Sequence, residues 1–464
     1  MPAALAAVIL AAGQGTRMKS LLPKVLHPVA GVPMLAHVIA AARLAGSTDV
    51  VAVIGHGAER VRTAFATTGV TFALQAEQLG TGHALQCAAP ALAGFAGDLL
   101  LLCGDVPLLR AETLLALVAH HRQQQAAVTV LTAVLHDPHG YGRIIRNAGG
   151  VERIVEEKDA TPAERAVREV NTGIYVFAAP RVFELLAGLT NDNAQGEYYL
   201  TDVIAVARAA GSTVAAMTID CAEEAMGIND RVQLAQAGAA MRARINETHM
   251  RAGVTLIDPA TTYIEPEVTI GADTLIHPGV HLRGQTVIGR ACELDPGVIL
   301  SDCVLADRVH VKAGSVLEGS TVGPDTDIGP MAHLRPGTVL AGENKIGNFV
   351  ETKKAVIGRG SKASHLTYLG DTEIGSGVNV GCGTITCNYD GVNKHVTIIE
   401  DDVFVGSDVQ FVAPVRIGRG SLIGAGSTIT RDVPAEALAI TRAEQKVIEG
   451  WVARKRSKTV KSET

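Results

Sequence analysis

Apolar residues follow two different patterns along the chain, and the pattern changes near residue 228. Before that point, short apolar runs such as LAAVIL, DVVAVIG, DLLLLCGD and AVTVLTAVL alternate with helix-like stretches, for example residues 35–44 and 111–121. Fully apolar runs are typical of strands that are buried on both faces, and their alternation with helices predicts a mostly parallel α/β sheet. Ligands bind such sheets at the carboxyl ends of the strands.

From about residue 254 the apolar residues recur at every sixth position. The series is Ile270, Ile276, Leu282, Ile288, Leu294, Leu300, then, after one-residue slips, Leu305, Val311, Leu317 and Val322, Ile328, Leu334, Leu340, Ile346, and finally Ile399, Val405, Phe411, Ile417, Ile423, Ile429. A period of six fits a triangular coil of three hexads, with the apolar residue inside and small residues allowing the turns. Coils of this kind stack about 4.8 Å apart. A run of ordinary short strands is the weaker alternative.

These patterns divide the chain into four segments. We predict an α/β domain over residues 1–228, a helical linker over 229–252, a coil domain over 253–452 and a basic flexible tail over 453–464. The linker is rich in Ala, Gln, Arg and Met and contains no proline, which favours a helix. The stretch CNYDGVNKHVTI breaks the hexad period and predicts a protruding loop.

Composition and charge narrow the class of protein. The 464 residues are 47% apolar and 19% charged with a net charge of -6, which indicates a globular protein without a nucleic-acid footprint. No apolar stretch is long enough for us to expect membrane insertion. The seven cysteines include no C-x-x-C pair, so we expect a reduced, cytoplasmic protein.

The stretch ILAAGQGTRMKSLLPK follows the first apolar run and predicts a phosphate-binding loop. Its glycines expose backbone N–H donors, Arg17 adds a planar fork of donors, and Lys24 adds a mobile charge. It is neither a P-loop, because no lysine follows Gly15, nor a dinucleotide fingerprint, because Met18 replaces the third glycine. From these residues alone, a tight structural turn beside incidental surface cations is the alternative.

A second group of candidate residues lies in the hexad region. Arg335 and Lys353 are one coil apart and should stack about 4.8 Å apart, where two cations repel each other unless an anion lies between them. A solvated basic edge is the alternative. His365 can accept a proton near neutral pH, although a buried, hydrogen-bonded histidine is the commoner case. We interpret His277 and His281 as surface or packing histidines, because a zinc site lacks an evident third ligand.

Several motifs together carry a resemblance to a known family. LAAGQGTRMKSLLPK resembles the signature of sugar-nucleotide pyrophosphorylases, and QLGTGHA, GDVPL, YGRI, EEKDA, EVNTGIY and GINDR follow in order. With the hexad region, residues 5–452 resemble the bacterial bifunctional N-acetylglucosamine-1-phosphate uridyltransferase/glucosamine-1-phosphate acetyltransferase family. The resemblance implies a Rossmann-like nucleotidyltransferase domain followed by a left-handed parallel β-helix of hexapeptide repeats.

The resemblance also implies two reactions. Acetyl-CoA would acetylate glucosamine 1-phosphate, and UTP would then supply a uridylyl group to give UDP-N-acetylglucosamine and pyrophosphate. The alternatives are a single-activity pyrophosphorylase with a structural β-helix and a non-enzymatic scaffold built from the same two domains. The presence of His365, Arg335 and Lys353 argues against the first alternative, and that of Arg17, Lys24 and Asp105 against the second.

For uridylyl transfer, the resemblance implies that Asp105 and Asn229 hold Mg²⁺ while Arg17 and Lys24 stabilise phosphate charge. The nucleotide and sugar-nucleotide contacts would be Leu10, Ala11, Ala12, Gly13, Lys24, Gln75, Gly80, Thr81, Cys103, Gly104, Asp105, Gly142, Glu156, Asn171 and Asn229. Cys103 is a departure from the family pattern, since many relatives carry tyrosine there.

For acetyl transfer, the resemblance implies that His365 is the general base, oriented by Glu351. The glucosamine 1-phosphate site would comprise Arg335, Lys353, Tyr368, Asn379 and Lys394, and the acetyl-CoA site Cys382, Asn388, Tyr389, Ser407, Ala425 and Arg442. Cys382 stands where relatives often have alanine. The acetyl-CoA cleft would lie between subunits of a homotrimer.

Overall fold

A computed structural model describes residues 3–179 and 181–460. The chain forms two compact units, one up to Arg244 and one from Ile245 onward. This division falls inside the segment that the sequence predicts as a helical linker. There the structure has one helix, Arg231–Arg251.

The first unit alternates strands and helices, which confirms the α/β prediction. Its strands are β1 Leu5–Ala11, β2 Pro28–Val29, β3 Val32–Pro33, β4 Asp49–Ile54, β5 Thr71–Leu74, β6 Gly97–Cys103, β7 Val128–Val134, β8 Arg143–Asn147, β9 Gly150–Val155, β10 Glu169–Ala179 and β11 Val214–Thr218. Its α-helices are α1 Met34–Leu44, α2 Ala58–Ala64, α3 Thr81–Cys87, α4 Ala111–Gln123, α5 Pro162–Arg165, α6 Arg181–Leu186 and α7 Val203–Ala209, and α8 is Arg231–Arg251. Short 3₁₀ turns span Thr16–Met18, Lys24–Leu26, Ala89–Leu92, Leu200–Asp202 and Ala222–Ala225.

The main sheet of this unit has the strand order β11-β7-β10-β6-β1-β4-β5. β1 pairs in parallel with β4 and β6, and β4 pairs in parallel with β5. β10 runs antiparallel to both β6 and β7, so the sheet is mixed. The carboxyl ends of β1, β4 and β6 therefore share one edge, where the sequence places the glycine loop and the GDVPL motif.

Helices cover both faces of the sheet, and alternate residues of one strand supply the two cores. In β6, Leu100 and Leu102 pack with α1 and α4, whereas Leu99 and Leu101 pack with α3 and α7. All four leucines are fully buried. A strand that is buried on both faces needs a continuous apolar run, which explains the sequence pattern.

The second unit contains a parallel β-helix of 26 strands, in which most strands pair in parallel with the strand three places later. The strands are Thr255–Leu256, Tyr263–Ile264, Thr269–Ile270, Leu275–Ile276, His281–Arg283, Val287–Ile288, Glu293–Leu294, Ile299–Ser301, Val304–Leu305, His310–Val311, Val316–Glu318, Thr321–Val322, Asp327–Ile328, His333–Leu334, Val339–Leu340, Lys345–Ile357, Lys362–Ile374, Asn379–Val380, Ile385–Cys387, Thr397–Ile399, Phe404–Val405, Gln410–Val412, Val415–Ile417, Leu422–Ile423, Thr428–Ile429 and Leu438–Ala439. The triangular-coil prediction is thus confirmed.

The register between coils gives the length of each turn. His281 pairs with Ile299, a step of eighteen residues, whereas His310 pairs with Asp327, a step of seventeen. The one-residue slips in the hexad series are these shorter turns. Where the period breaks, Ile385 pairs with Gln410, so one turn takes twenty-five residues and the excess protrudes.

The inside of the β-helix is filled by the hexad residues. All of them are buried except Ile270, which is partly buried and packs against the same core. A glycine often follows the apolar residue. It is needed because the backbone of the next coil passes too close to leave room for a side chain, and not because the chain turns there. At Gly271, a Cβ atom would lie 2.6 Å from the backbone carbonyl of Gly289 on the next coil.

The end of the chain differs from the prediction. The last strand ends at Ala439, before the expected limit of 452, and residues 440–450 contain no helix or strand. Helix α9, Trp451–Val460, occupies most of the segment predicted as a flexible tail, and residues 461–464 lie outside the described part. Within the described ranges, no helix has the length and apolar character needed to cross a membrane.

Candidate functional site

The carboxyl ends of β1 and β6 and the start of α3 border a cavity of about 300 Å³, which we call the nucleotide pocket. Its lining residues are Leu10, Ala11, Ala12, Gly13, Lys24, Val25, Gln75, Gln78, Gly80, Thr81, Ala84, Cys103, Asp105 and Glu197. Most of them belong to the set predicted to bind UTP. The structure therefore brings together motifs that are far apart in the sequence.

The glycine loop is shaped by close backbone approaches. Gly15 has a φ of +61°, and a Cβ atom there would lie 2.7 Å from the Cβ of Lys24, so this glycine lets the lysine stem pack against the loop. Gly104 approaches Leu10, and its added Cβ would lie 3.1 Å from that carbonyl oxygen. Gly13 has open space beside it, which leaves room for a ligand.

Three predicted residues meet at one point of this site. The Lys24 ammonium donates to the Asp105 carboxylate and, over 2.9 Å, to the side-chain oxygen of Asn229. The N–H of Ile228 donates to the carbonyl of Asp105 over 3.0 Å, which fixes Asn229 beside the end of β6. Two oxygen ligands from separate segments thus converge on a single positive charge.

Two glutamine side chains hold the rim of the pocket. Gln75 is buried and donates its amide to the carbonyl of Gly80 over 3.0 Å. Gln78 donates to the carbonyl of Ala12 over 2.8 Å and so ties the glycine loop to this rim. Thr81 accepts a hydrogen bond from the backbone of Leu200. The side chains order the backbone where a nucleotide would lie.

The remaining predicted contacts form a neighbouring group. The carbonyl of Gly142 accepts from the backbone of Asn171 over 2.8 Å, and a Cβ on Gly142 would lie 3.4 Å from Glu156 Oε1. Burial raises the pKa of Glu156, which accepts a hydrogen bond from Thr201. Arg17 does not line the pocket. It is exposed and makes no hydrogen bond or ion pair with the described residues.

Cys103 lies on the pocket wall at the end of β6. Burial, followed by the nearby charge of Asp105, raises the pKa of its thiol to about 12. The thiol points at the carbonyl of Gly173, 3.5 Å from Sγ. A thiol with so high a pKa is a poor nucleophile, so we interpret Cys103 as an inert group of the pocket wall.

In the β-helix, a group of cations forms what we call the cation column, Arg335, Lys353 and Lys394. The backbone N–H of Arg335 donates to the carbonyl of Thr352, which places Arg335 beside Lys353 on the next coil. Lys394 reaches the same place from the protruding loop, and its ammonium, followed by the Arg335 guanidinium, lowers the pKa of Lys353. The predicted stacking of like charges is therefore present.

One predicted residue contacts this column, and a second lies on the next coil. Arg335 Nη1 donates to Glu351 Oε1 over 2.8 Å. Tyr368 pairs in register with Glu351, and its ring lies over Gly370, the register partner of Lys353. No hydrogen bond joins Glu351 to His365 among the described residues. The structure thus places the Glu351 carboxylate with Arg335, whereas the sequence predicted that it orients His365.

A second line of residues, which we call the histidine column, comprises Asn348, His365, Cys382, Ser407 and Ala425. Asn348 pairs with His365, and the strand register continues this alignment to the other three residues on successive coils. His365 is exposed. The Arg442 guanidinium donates to the carbonyl of Ala425 over 2.7 Å. The candidate base therefore aligns with three of the predicted acetyl-CoA contacts, and a fourth, Arg442, contacts the last of them.

The other two predicted acetyl-CoA contacts lie elsewhere in the chain. Asn388 donates to the Asp371 carboxylate, and Tyr389 forms an antiparallel bridge with Lys394 inside the protruding hairpin. They lie beside the cation column, not the histidine column. Asn379 was predicted to bind glucosamine 1-phosphate but lies nearer the histidine column. It pairs with Lys362, on the strand segment that leads to His365.

Sequence reasoning missed several residues at these sites. Gln78 is the first residue of the QLGTGHA motif, so the sequence alone could have identified it as a residue of the pocket. Glu197 lines the nucleotide pocket and Asp371 anchors the hairpin, but neither lies in a recognisable pattern. Their positions depend on tertiary contacts that spacing alone does not show.

Comparisons with known proteins agree with both units. The family described as MobA-like NTP transferase domain matches residues 7–210, the GMPPB C-terminal domain matches residues 264–357, and the bacterial transferase hexapeptide (six repeats) matches residues 397–431. A protein named bifunctional protein GlmU from Syntrophotalea carbinolica is 67% identical, with 96% of each chain covered. Proteins of the same name from Pelobacter propionicus and Geotalea uraniireducens are 61% and 57% identical, covering 98% and 97% of this chain and 99% of each relative. The chain therefore belongs to the bifunctional GlmU family.

Proposed function

We propose that this chain carries out two successive reactions on one amino sugar. The β-helix transfers the acetyl group of acetyl-CoA to glucosamine 1-phosphate, and the α/β unit transfers the uridylyl group of UTP to the product. UDP-N-acetylglucosamine and pyrophosphate are formed. The observation that carries the proposal is that each unit holds its own cluster of charged side chains, assembled from the residues that the motifs single out.

Uridylyl transfer needs orientation and charge neutralisation more than covalent catalysis. The sugar phosphate oxygen attacks the α-phosphorus of UTP, and the bond to pyrophosphate breaks. Lys24, held at the pocket by its packing against Gly15, would stabilise the developing charge. Arg17 has no partner among the described residues, so its guanidinium is available to the departing phosphates.

We propose Mg²⁺ as the metal of this first site. The Asp105 carboxylate and the Asn229 side-chain oxygen converge on the Lys24 ammonium, so the site already accommodates positive charge between two hard oxygen donors. Mg²⁺ favours such donors and completes its shell with water and substrate phosphates. When bound, it would neutralise charge on those phosphates.

The rest of the pocket would recognise the base and the sugar. The uracil and ribose would lie against the backbone of residues 10–13 and the rim of Gln75, Gly80 and Thr81, which Gln78 braces. The N-acetylglucosamine part would contact the group of Gly142, Glu156 and Asn171.

Acetyl transfer needs a base for the sugar amine. As the amine nitrogen bonds to the thioester carbon, its proton passes to His365, and the carbon–sulfur bond breaks to release the thiolate of coenzyme A. The histidine column would place acetyl-CoA beside the base, with Arg442 at its far end. The cation column would bind the sugar phosphate, and Tyr368 and Asn379 would contact the sugar.

A homotrimer would join residues that one chain keeps apart. Both columns lie just before residues of positive φ: His365 before Leu366, and Lys353 before Lys354. The strand that contains His365 has two residues of positive φ, Leu366 and Asp371. His365 precedes the first of them, whereas Gly370, the register partner of Lys353, precedes the second. The columns therefore run along different corners of the coil. The amine and the phosphate of the substrate are on adjacent sugar carbons, so a neighbouring copy would complete each site.

The free state of all seven cysteines supports a reducing, cytoplasmic location for this chemistry. Burial raises the pKa of Cys292 and of Cys303, so these thiols resist oxidation.

Two separate assays on two variants test the proposal. His365→Ala should lower acetyl transfer by about 10²–10⁴-fold, the usual contribution of a general base, and leave UTP-dependent pyrophosphate release intact. Asp105→Ala should show the converse. The controls make the same substitution elsewhere in the same unit: His281→Ala is matched to His365→Ala, and Asp192→Ala to Asp105→Ala. Loss of both activities in one variant, or of neither, would contradict the assignment of one reaction to each unit.

A further inference from the structure

Four side chains with metal-binding atoms converge on the β-helix, on coils that precede the cation column. They are His277, Glu293, Asp295 and His310, which we call the histidine–carboxylate cluster. The strand register explains their convergence, because Glu293 pairs with His310 on the next coil. His277 and Asp295 follow the paired residues Ile276 and Leu294. The cluster thus draws on three successive coils.

The ligand atoms of the cluster lie close enough together to share one metal ion after small side-chain movements. His277 Nε2 lies 3.4 Å from Glu293 Oε1 and 4.0 Å from Asp295 Oδ1, and His310 Nε2 lies 3.3 Å from the same Asp295 oxygen. Ligands about 2.0–2.1 Å from a tetrahedral zinc ion are roughly 3.3 Å from one another. The ligand atoms of His277, Glu293 and Asp295 thus all lie within 4.8 Å of one another, and His310 Nε2 lies beside the Asp295 oxygen as a fourth candidate ligand.

One ligand atom of the cluster forms no hydrogen bond. His310 Nε2 is shielded from solvent and forms no hydrogen bond, although it faces Asp295. Buried polar atoms in folded proteins are nearly always satisfied, so such a nitrogen calls for an explanation. The side chains remain 25–44% exposed, so an ion can still enter.

A further carboxylate lies near the other ring nitrogen of His310. Asp327 Oδ1 lies 3.7 Å from His310 Nδ1, the ring nitrogen that faces away from Asp295. A carboxylate on the second nitrogen is the usual arrangement for a metal-binding histidine, because it fixes the ring and the tautomer. Lys312, 3.7 Å from the same Asp327 oxygen, balances the charge of that carboxylate.

We propose that the histidine–carboxylate cluster binds one divalent transition metal ion of the zinc type. Two imidazole nitrogens favour such an ion over Mg²⁺ or Ca²⁺, and two carboxylates balance its charge. The site is separate from the pair Asp105 and Asn229 in the other unit. Its ligands join three coils, so the ion acts as a cross-link that stabilises this part of the β-helix.

Zinc titration of the full-length, metal-depleted protein tests the proposal. Isothermal calorimetry with Zn²⁺ alone, in excess Mg²⁺, gives the affinity, and thermal unfolding with and without Zn²⁺ gives the stabilisation. The variants are His310→Ala and Asp295→Asn, of which the second keeps the shape of the side chain. Asp327→Asn tests the supporting carboxylate. His281→Ala is the control, because His281 stacks on Tyr263 and not on the cluster.

We expect the wild type to bind one equivalent of Zn²⁺ that His281→Ala retains. Asp327→Asn should weaken it by about 10–100-fold, the usual effect of losing a supporting carboxylate, and the two ligand variants should weaken it more. The rise in unfolding temperature with Zn²⁺ should follow the same order. Equal binding by the wild type and by Asp295→Asn would overturn the proposal, even if His310→Ala failed to fold.

Discussion

The two candidate sites differ in how the chain balances their charges. At the nucleotide pocket, the sheet brings Lys24 to Asp105 from a distant part of the sequence, so a positive group already has a negative partner. At the cation column, a repeat places Arg335 and Lys353 one coil apart, with Lys394 added, and like charges remain close together. The first site is electrostatically satisfied without a ligand, whereas the second is completed by an anion.

This difference predicts different sensitivities to mutation. The nucleotide pocket depends on the close approaches at Gly15 and Gly104, so a change of shape should damage it most. The cation column lies on an exposed coil edge, so a change of charge should damage it most.

Gly15→Ala should lower kcat/KM for uridylyl transfer by about 100-fold. The new Cβ would lie 2.7 Å from the Cβ of Lys24 and would push the lysine from its position, and misplacement of about 1 Å can cost that much. Acetyl transfer should not change. Gly211→Ala is the matched control, because Gly211 also has a positive φ, +70°, but open space around it. An equal loss in the control would show that backbone strain, not displacement of Lys24, is responsible.

Lys353→Ala should lower kcat/KM for acetyl transfer by about 10- to 100-fold, mainly through a higher KM for glucosamine 1-phosphate. The substitution removes a charged hydrogen-bond donor from the phosphate without changing the fold of the coil. Lys354→Ala removes the same charge at the adjacent position and should have little effect. A loss confined to kcat would place Lys353 in the chemical step instead.

Glu351→Gln should raise the KM for glucosamine 1-phosphate by about two- to fivefold, the usual value of an exposed ion pair, and leave the pH dependence of kcat unchanged. The reason is that Glu351 contacts Arg335, 2.8 Å away. If Glu351 instead orients His365, as the family resemblance implies, the pH limb that belongs to the base will move. Measuring kcat across pH for both proteins decides between the two.

Lys394→Gln should weaken sugar phosphate binding at every pH, because one cation of the column is lost, and should also move the alkaline limb of that binding. The Lys394 ammonium lowers the pKa of Lys353, so in the wild type Lys353 loses its charge at a lower pH than an isolated lysine. Binding of the phosphate should fall as the pH rises through that pKa. Removing the Lys394 charge raises the pKa of Lys353 and moves the fall to higher pH. KM measured against pH, with Lys354→Gln as the control, would contradict this if the limb stayed in place.

Two tracts of the repeat region, residues 270–346 and 399–429, could be predicted almost residue by residue, because one local rule governs them. The long strands Lys345–Ile357 and Lys362–Ile374 lie largely in the gap between the two tracts and were not predicted. The hexad period fixes which residues point inward, and the one-residue slips reappear as seventeen-residue turns. The role of the glycines was only partly predicted. Gly271 is needed where the next coil approaches, a contact between coils that the periodicity does not reveal.

The sites were less predictable because they depend on contacts between distant segments. The motifs identified Lys24, Asp105 and Asn229, but not that the lysine lies between the two oxygen donors. Likewise, the sequence offers no sign that Glu351 pairs with Arg335. An exposed side chain can choose among several neighbours, and only the register and the rotamers decide which one it contacts.

The long turn between Ile385 and Gln410 has an evolutionary consequence. The coils on either side keep their alignment although this turn contains a whole extra hairpin. The scaffold therefore tolerates insertion at this point without a change in its stacking. New specificities for the acyl donor or the sugar acceptor could arise by exchanging the hairpin alone, while the β-helix that carries it stays the same.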